Sequence, residues 1–145
     1  MGKLIDGKWV PSSVITSDDS GAYDRIPRSF LDKISEGHQK FKPERDRYHL
    51  FVSYACPWAQ RTLILRKLKN WEEMISFSVV HPDMMDEGWV FDETFPSATR
   101  DHLFGYKFLR EVYQHSAPNV STTVTVPILF DKKYGVIVNN ESGQI

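Results

Sequence analysis

Between Tyr48 and Val80 the spacing of apolar residues changes character twice. Tyr48-His49-Leu50-Phe51-Val52 is rich in aromatic and β-branched side chains, which suits a strand. Ala59–Lys69 then carries Leu63, Ile64, Leu65 and Leu68 among basic residues. That pattern reads as a helix packed on a sheet, with its cations near the negative end of the helix dipole. Met74–Val80 alternates well enough for a second strand. Strand, helix, strand over this span is a βαβ unit, expected to be parallel and right-handed.

Residues 81–100 read as a long loop. The spacing predicts a helix over Asp101–His115, where Phe104, Phe108 and Val112 recur every four residues, as do Leu109 and Tyr113. Val124–Asp131 and Val136–Val138, joined by Lys132–Gly135, predict an antiparallel hairpin. A proline inside a central strand would remove a ladder hydrogen bond, so Pro127 is expected to begin its strand, after a bond that is a candidate for cis. Asn139-Asn140 reads as a turn, and Glu141–Ile145 as a helix that stops as soon as it starts, so the chain is read as a fragment. The predicted order is β-α-β-α-β-β-α with the last helix truncated, an α/β fold. Residues 1–46 are polar, with isolated anchors at Trp9, Phe30 and Phe41. They are expected to form an extended arm with little regular structure, carrying a short helix around Ser29–Ile34.

Composition narrows the class. A chain of 145 residues, 41% hydrophobic and 26% charged, has room for one domain with a moderate core. A net charge of −1 gives no electrostatic case for nucleic acid or an anionic membrane as partner. No apolar run approaches the length of a membrane span, and Met1–Val10 lacks the apolar core of a signal peptide. A single cysteine excludes an internal disulfide framework and fits a reducing cytosol.

That cysteine, Cys56, stands where the first strand meets the first helix. Pro57 suits the opening turn of a helix, where its missing N–H costs nothing. Cys56 is therefore expected at the N-cap, facing unpaired backbone N–H groups and the positive end of the dipole. Both favour a thiolate, the nucleophilic form of cysteine. From Ser53 to Lys69 there is no Asp or Glu, while Arg61, Arg66, Lys67 and Lys69 add positive charge. A lone cysteine without such surroundings is more often a small buried hydrophobe; here the setting favours a reactive thiol. Dithiol redox sites carry Cys-x-x-Cys, but Ala59 occupies the second position. A mixed disulfide at Cys56 must then be resolved by an outside thiol, which points to glutathione. His81, Asp83, Asp86 and Glu87 match no usual metal-ligand spacing and read as a solvated loop. His49 lies on the strand leading to Cys56, yet no Asp or Asn partner for a Cys-His hydrolase can be named.

Taken together, Cys-Pro at the first helix, Val-Pro opening the third strand and Glu-Ser opening the last helix resemble the thioredoxin-like N-terminal domain of glutathione transferases. More narrowly, Arg47–Arg66, Gly88-Trp89-Val90-Phe91-Asp92, Val124–Pro127 and Asn140-Glu141-Ser142 resemble the glutathionyl-hydroquinone reductases, or xi-class glutathione transferases. The resemblance runs from about residue 4 to the end. Omega-class transferases share a Cys-Pro site but neither the long arm nor the Gly-Trp loop. Singly, Val126-Pro127 is also an ordinary strand entry, Glu141-Ser142 an ordinary helix start and Trp89 an ordinary loop anchor; their joint order and spacing carry the resemblance.

The resemblance implies an arm over residues 1–46 and a glutathione-binding domain over 47–145, with the helical C-terminal domain absent. It implies Cys56 as catalytic residue and glutathione as co-substrate, with no metal. Trp89 would pack along the tripeptide and the Val126 backbone would meet its cysteinyl part. Ser142 and the helix-opening N–H groups would hold the γ-glutamyl carboxylate, and Glu141 its ammonium. The implied reaction is reduction of quinone-derived glutathione conjugates in the cytoplasm by a homodimer. The alternatives are an omega- or lambda-like thiol transferase or dehydroascorbate reductase, and a non-catalytic glutathione-binding module. Two departures stand out: Thr123 replaces a basic residue common before Val-Thr-Val-Pro, and Gly143 weakens the helix start. Without the helical domain, an apolar face would be bare, so self-association or poor order beyond Asn140, together with slow turnover, is expected.

Overall fold

The run Tyr48–Val52 is buried at every position, as its composition demands of a central strand. The computed structural model describes residues 2–11 and 28–145. In chain order the elements are β1 (Gly2–Ile5), β2 (Lys8–Pro11), β3 (Tyr48–Val52), α1 (Pro57–Leu68), β4 (Ile75–Val79), α2 (Leu109–Ser116), β5 (Thr122–Thr123), β6 (Ile128–Asp131) and β7 (Val136–Asn139). The main sheet has the order β4-β3-β6-β7. β3 and β4 are parallel, from Tyr48 opposite Ile75 to Val52 opposite Val79, as the βαβ reading requires. β6 runs antiparallel to both β3 and β7. From β3 onward the order is β-α-β-α-β-β with one helical turn at the end, once the two-residue β5 is set apart. This is the thioredoxin-like α/β architecture.

Side chains alternate across a strand, so β3 serves two layers. Tyr48 and Leu50, with Leu129 of β6, border a cavity of about 370 Å3 on the side of Thr62 and Leu65 from α1. His49 and Phe51 point the other way. Phe51 meets Phe91 and Phe130 edge-on, and Phe130 lies against His115 of α2. His49 is thus on the face opposite α1. Its Nδ1 and Nε2 are 2.7 and 2.9 Å from the hydroxyls of Ser76 and Ser78 on β4, so it is satisfied by the sheet and not aimed at Cys56.

Burial pushes the His49 pKa down from 6.5 to about 3, with the charges of Lys132 and His102 adding to the effect. The folded state then refuses a proton that the unfolded chain accepts below pH 6.5. Stability is expected to fall as pH drops from about 6.5 toward 3, with a slope near 1.4 kcal/mol per unit from this group. His49→Asn, which still offers polar atoms to the serines, should flatten that limb in urea titrations run between pH 7 and pH 4. An unchanged acid limb would mean that other groups set it.

Three sequence expectations are corrected. The arm is not without regular structure at its start: β1 and β2 form a hairpin with Ile5 opposite Lys8. Asp6 and Gly7 both have positive φ, 48° and 74°, the two-residue turn that Asp-Gly favours. β1 also pairs with β5, Leu4 opposite Thr122, which makes a second sheet of order β2-β1-β5. The remainder of the arm reading, over 12–27, lies outside the described residues. No helix forms around Ser29–Ile34; instead Leu31 bridges to Asn139, the last residue of β7. The second helix begins at Leu109, not Asp101. The Asp101 carboxylate accepts the N–H groups of Leu103, Phe104 and Tyr106, and Gly105 sits at φ 72°, so this stretch is a capped turn. Glu111 then fixes the true start by accepting the N–H groups of Lys107 and Phe108 at 3.0 and 2.8 Å.

Among the described residues, no helix is long and apolar enough to cross a membrane.

Candidate functional site

Cys56 is the N-cap of α1, in extended conformation at φ −99° and ψ 112°, with Pro57 as the first helical residue. Its carbonyl accepts the N–H groups of Ala59 and Gln60, which closes the first turn, while its own side chain caps nothing. The first turn holds no acidic residue, and Arg66 and Lys67 lie in the last. The half-buried Sγ is 3.7 Å from the Val126 carbonyl oxygen. The Val126–Pro127 peptide is cis, and β6 starts directly after it at Ile128. A strand-to-helix junction and a strand entry therefore meet at one sulfur. Trp58, half exposed, carries the Arg61 guanidinium 4.7 Å from its ring centroid.

Glu141 and Ser142 follow β7 in a single turn. The Glu141 N–H donates to Asn139 Oδ1 at 2.7 Å, and its carbonyl accepts the N–H groups of Gln144 and Ile145. Its Oε1 accepts the Gly143 N–H at 3.2 Å, so the carboxylate folds over the start of the turn. Both residues are half-buried.

What joins this turn to Val126 is a residue that apolar spacing had placed on a helix face. Tyr113 of α2 is fully buried. Its hydroxyl donates to the Thr125 carbonyl at 3.0 Å and accepts from the Thr125 N–H and from Asn140 Nδ2, each at 3.3 Å. Thr125 precedes Val126 and Asn140 precedes Glu141. One phenol thus sets the spacing of the two segments beneath the site. Arg28 spans the same pair: Nη1 donates to Thr125 Oγ1 at 3.1 Å, and Nε is 3.6 Å from Glu141 Oε2. Neither residue carries a local motif; Asn140 beside Glu141-Ser142 was the one available signal.

Trp89 is placed differently from the other four. It is buried in the hydrophobic core, and its carbonyl accepts the Leu109 N–H at 3.0 Å, so the loop is hung on the start of α2. The residue before it is packed by the hairpin: a Cβ added at Gly88 would lie 2.8 Å from the Trp9 ring, and Gly88 has φ 76°. Arg110 covers Trp9 at 4.9 Å and donates to the Glu87 carbonyl. The structure thus brings Cys56, Val126 and, through Tyr113, Glu141 into one assembly. It fastens Trp89 into the wall beside α2 without a hydrogen bond to any of them.

The loop residues His81, Asp83, Asp86 and Glu87 do not converge. His81 Nδ1 accepts the Asp83 N–H, its ring meets Phe95 edge-on, and Glu87 pairs with Arg110. No group of three or more His, Cys, Asp or Glu side chains that could hold a metal occurs among the described residues.

The family described as glutathione S-transferase, N-terminal domain, matches residues 55–145. The chain is 47% identical over 152 aligned positions to glutathionyl-hydroquinone reductase YqjG of Escherichia coli, covering all of this chain and 46% of the relative. Among solved structures, a xi-class glutathione transferase from Natrialba magadii superposes with a TM-score of 0.85 at 40% identity, over 99% of this chain and 42% of that one. The glutathione-bound structure of YqjG superposes with a TM-score of 0.81 at 44% identity, over 99% and 43%. The chain therefore spans less than half the length of these relatives.

Proposed function

Since the chain belongs to the glutathione S-transferase family, through its N-terminal domain, we propose that it reduces glutathionyl-hydroquinones at Cys56, with glutathione as co-substrate. The observation that carries this is the placement of Cys56 Sγ at the N-cap of α1, 3.7 Å from the Val126 carbonyl. The Cys56 thiolate attacks the glutathione sulfur of the conjugate. A Cys56–glutathione disulfide forms and the carbon–sulfur bond breaks; its electron pair stays on the ring carbon, which takes a proton, and free hydroquinone leaves. A second glutathione thiolate attacks the mixed disulfide, releasing oxidised glutathione and restoring Cys56. Over the cycle the conjugate's thioether sulfur and one free glutathione thiol are oxidised to a disulfide, and the ring carbon is reduced.

The protein's share of the work is alignment. Val126 offers its backbone to the cysteinyl unit, Glu141 and Ser142 take the γ-glutamyl end, and Trp89 walls the tripeptide. The outside thiol is needed because Ala59 stands where a resolving cysteine would be.

Two measurements test this. After incubation with oxidised glutathione, intact mass is expected to rise by one glutathione at Cys56, and reduced glutathione should remove it. Turnover of a glutathionyl-hydroquinone is then expected to exceed that of a small mixed disulfide. No adduct at Cys56 would sink the proposal. The reverse substrate preference would move it to an omega- or lambda-like thiol transferase.

A further inference from the structure

We propose that Arg28 is an additional glutathione-binding residue that takes the α-carboxylate of the γ-glutamyl group, beside the ammonium assigned to Glu141. The inference rests on the glutathione reading above and adds a residue from outside the family match, which begins at residue 55. Arg28 comes from the arm, yet it reaches both segments that frame the ligand: Thr125, next to Val126, and Glu141. The segment Thr122–Pro127 has no cation of its own, so Arg28 supplies positive charge along this edge.

The geometry fits a guest with two charges. Arg28 Nε and Glu141 Oε2 are 3.6 Å apart, longer than a charge-assisted hydrogen bond, and their side chains are 31% and 35% exposed. A loose, solvent-facing pair contributes little by itself, so a ligand can part it cheaply. The Thr125 hydroxyl meanwhile holds Nη1 and leaves other donors of the guanidinium fork for a carboxylate. A cation and an anion side by side are the complement of a free α-amino acid group, whose ammonium and carboxylate share one carbon. The γ-glutamyl end of glutathione is such a group. With its ammonium on Glu141 and its carboxylate on Arg28, the four charges alternate; a ligand end bearing a single charge satisfies only half of the site. Fixing the guanidinium beforehand also removes part of the ordering cost of binding.

Calorimetric titration of the full chain with two ligands separates this role from a structural one. S-methylglutathione binds without redox chemistry, and its 4-aminobutyryl analogue lacks only the γ-glutamyl α-carboxylate while keeping the ammonium. Arg28→Gln is expected to weaken S-methylglutathione by about tenfold or more, the loss of one charge-assisted contact. It should change affinity for the 4-aminobutyryl analogue by less than about twofold, because the contact is already missing in that arm of the cycle. Equal weakening of both ligands would reduce Arg28 to a structural tie, and no weakening of either would remove it from the site. Each result overturns the proposal while the glutathione reading stands. Failure of the unmutated chain to bind S-methylglutathione would instead bring down that reading, and Arg28 with it.

Discussion

Cys56→Ser is expected to lower the proposed glutathionyl-hydroquinone reduction by about a thousandfold or more, because the proposed covalent step would be lost outright. A hydroxyl at neutral pH is a far poorer nucleophile than a thiolate, and no stable oxygen analogue of the mixed disulfide can form. The intact-mass adduct with glutathione should vanish in parallel. The same substitution is expected to leave the fold as stable or make it more so. Cys56 occupies an N-cap whose side chain makes no cap hydrogen bond. Serine is among the preferred residues there, worth about 0.5–2 kcal/mol over a non-capping side chain. Activity and stability should therefore move in opposite directions, read by turnover and by urea denaturation. Retained turnover would place the chemistry elsewhere; lost stability would mean that the thiol is chiefly a packing group.

Where sequence reasoning succeeded, the signal was local. Cys56-Pro57 after an apolar strand declares an N-cap, Val126-Pro127 a strand entry with a cis bond, and Glu141-Ser142 a turn. Each needs only neighbours in the chain. The hairpin had a local signal as well, Asp6-Gly7 between Leu4-Ile5 and Lys8-Trp9, outweighed by the polar cast of the arm. Its partner could not be read, since β1 docks on β5 through pairs such as Lys3 with Thr123, at the far end of the chain. The misplaced start of α2 shows two local rules in conflict. Four-residue spacing of Phe104, Phe108 and Val112 pointed to a longer helix, whereas Asp101 and Glu111 bind backbone N–H groups that a helix through them would have used otherwise. Tyr113 is the clearest case of what patterning conceals. Its ring obeys the apolar period, but its hydroxyl organises Thr125 and Asn140, 12 and 27 residues away.

Asp131→Asn is expected to cost about 3–5 kcal/mol of folding stability, the usual penalty for stripping one partner from a buried ion pair. Arg47 and Asp131 are both buried. The guanidinium Nε donates to both carboxylate oxygens at 3.1 Å and Nη2 to one of them, a contact that ties the start of β3 to the end of β6. That hydrogen bonding holds the Arg47 pKa above even its usual high range; without it the guanidinium still stays charged, because arginine's ordinary pKa lies far above neutrality. Glu44, 3.2 Å from Nη1, sits half in solvent and offsets only part of the loss. Asparagine is the informative replacement because Asp131 Oδ1 also accepts the N–H groups of Lys133 and Tyr134 in the turn to β7. An amide oxygen keeps those bonds, while the charge is lost and the Oδ2 acceptor of Arg47 Nε and Nη2 becomes an N–H donor. In a chain of 145 residues, a loss of this size should lower Tm by roughly 10 °C. Arg47→Met in the same chain should recover much of it, because a matched apolar side chain in place of an orphaned cation is close to neutral. Asp131 closes β6 at the end away from Pro127, so glutathione affinity of the folded fraction is expected to hold in both variants. A single variant as stable as the parent would show that solvent reaches Arg47. A double variant worse than the single would assign the loss to packing around Tyr48 and Tyr134, whose rings flank the guanidinium, and not to charge.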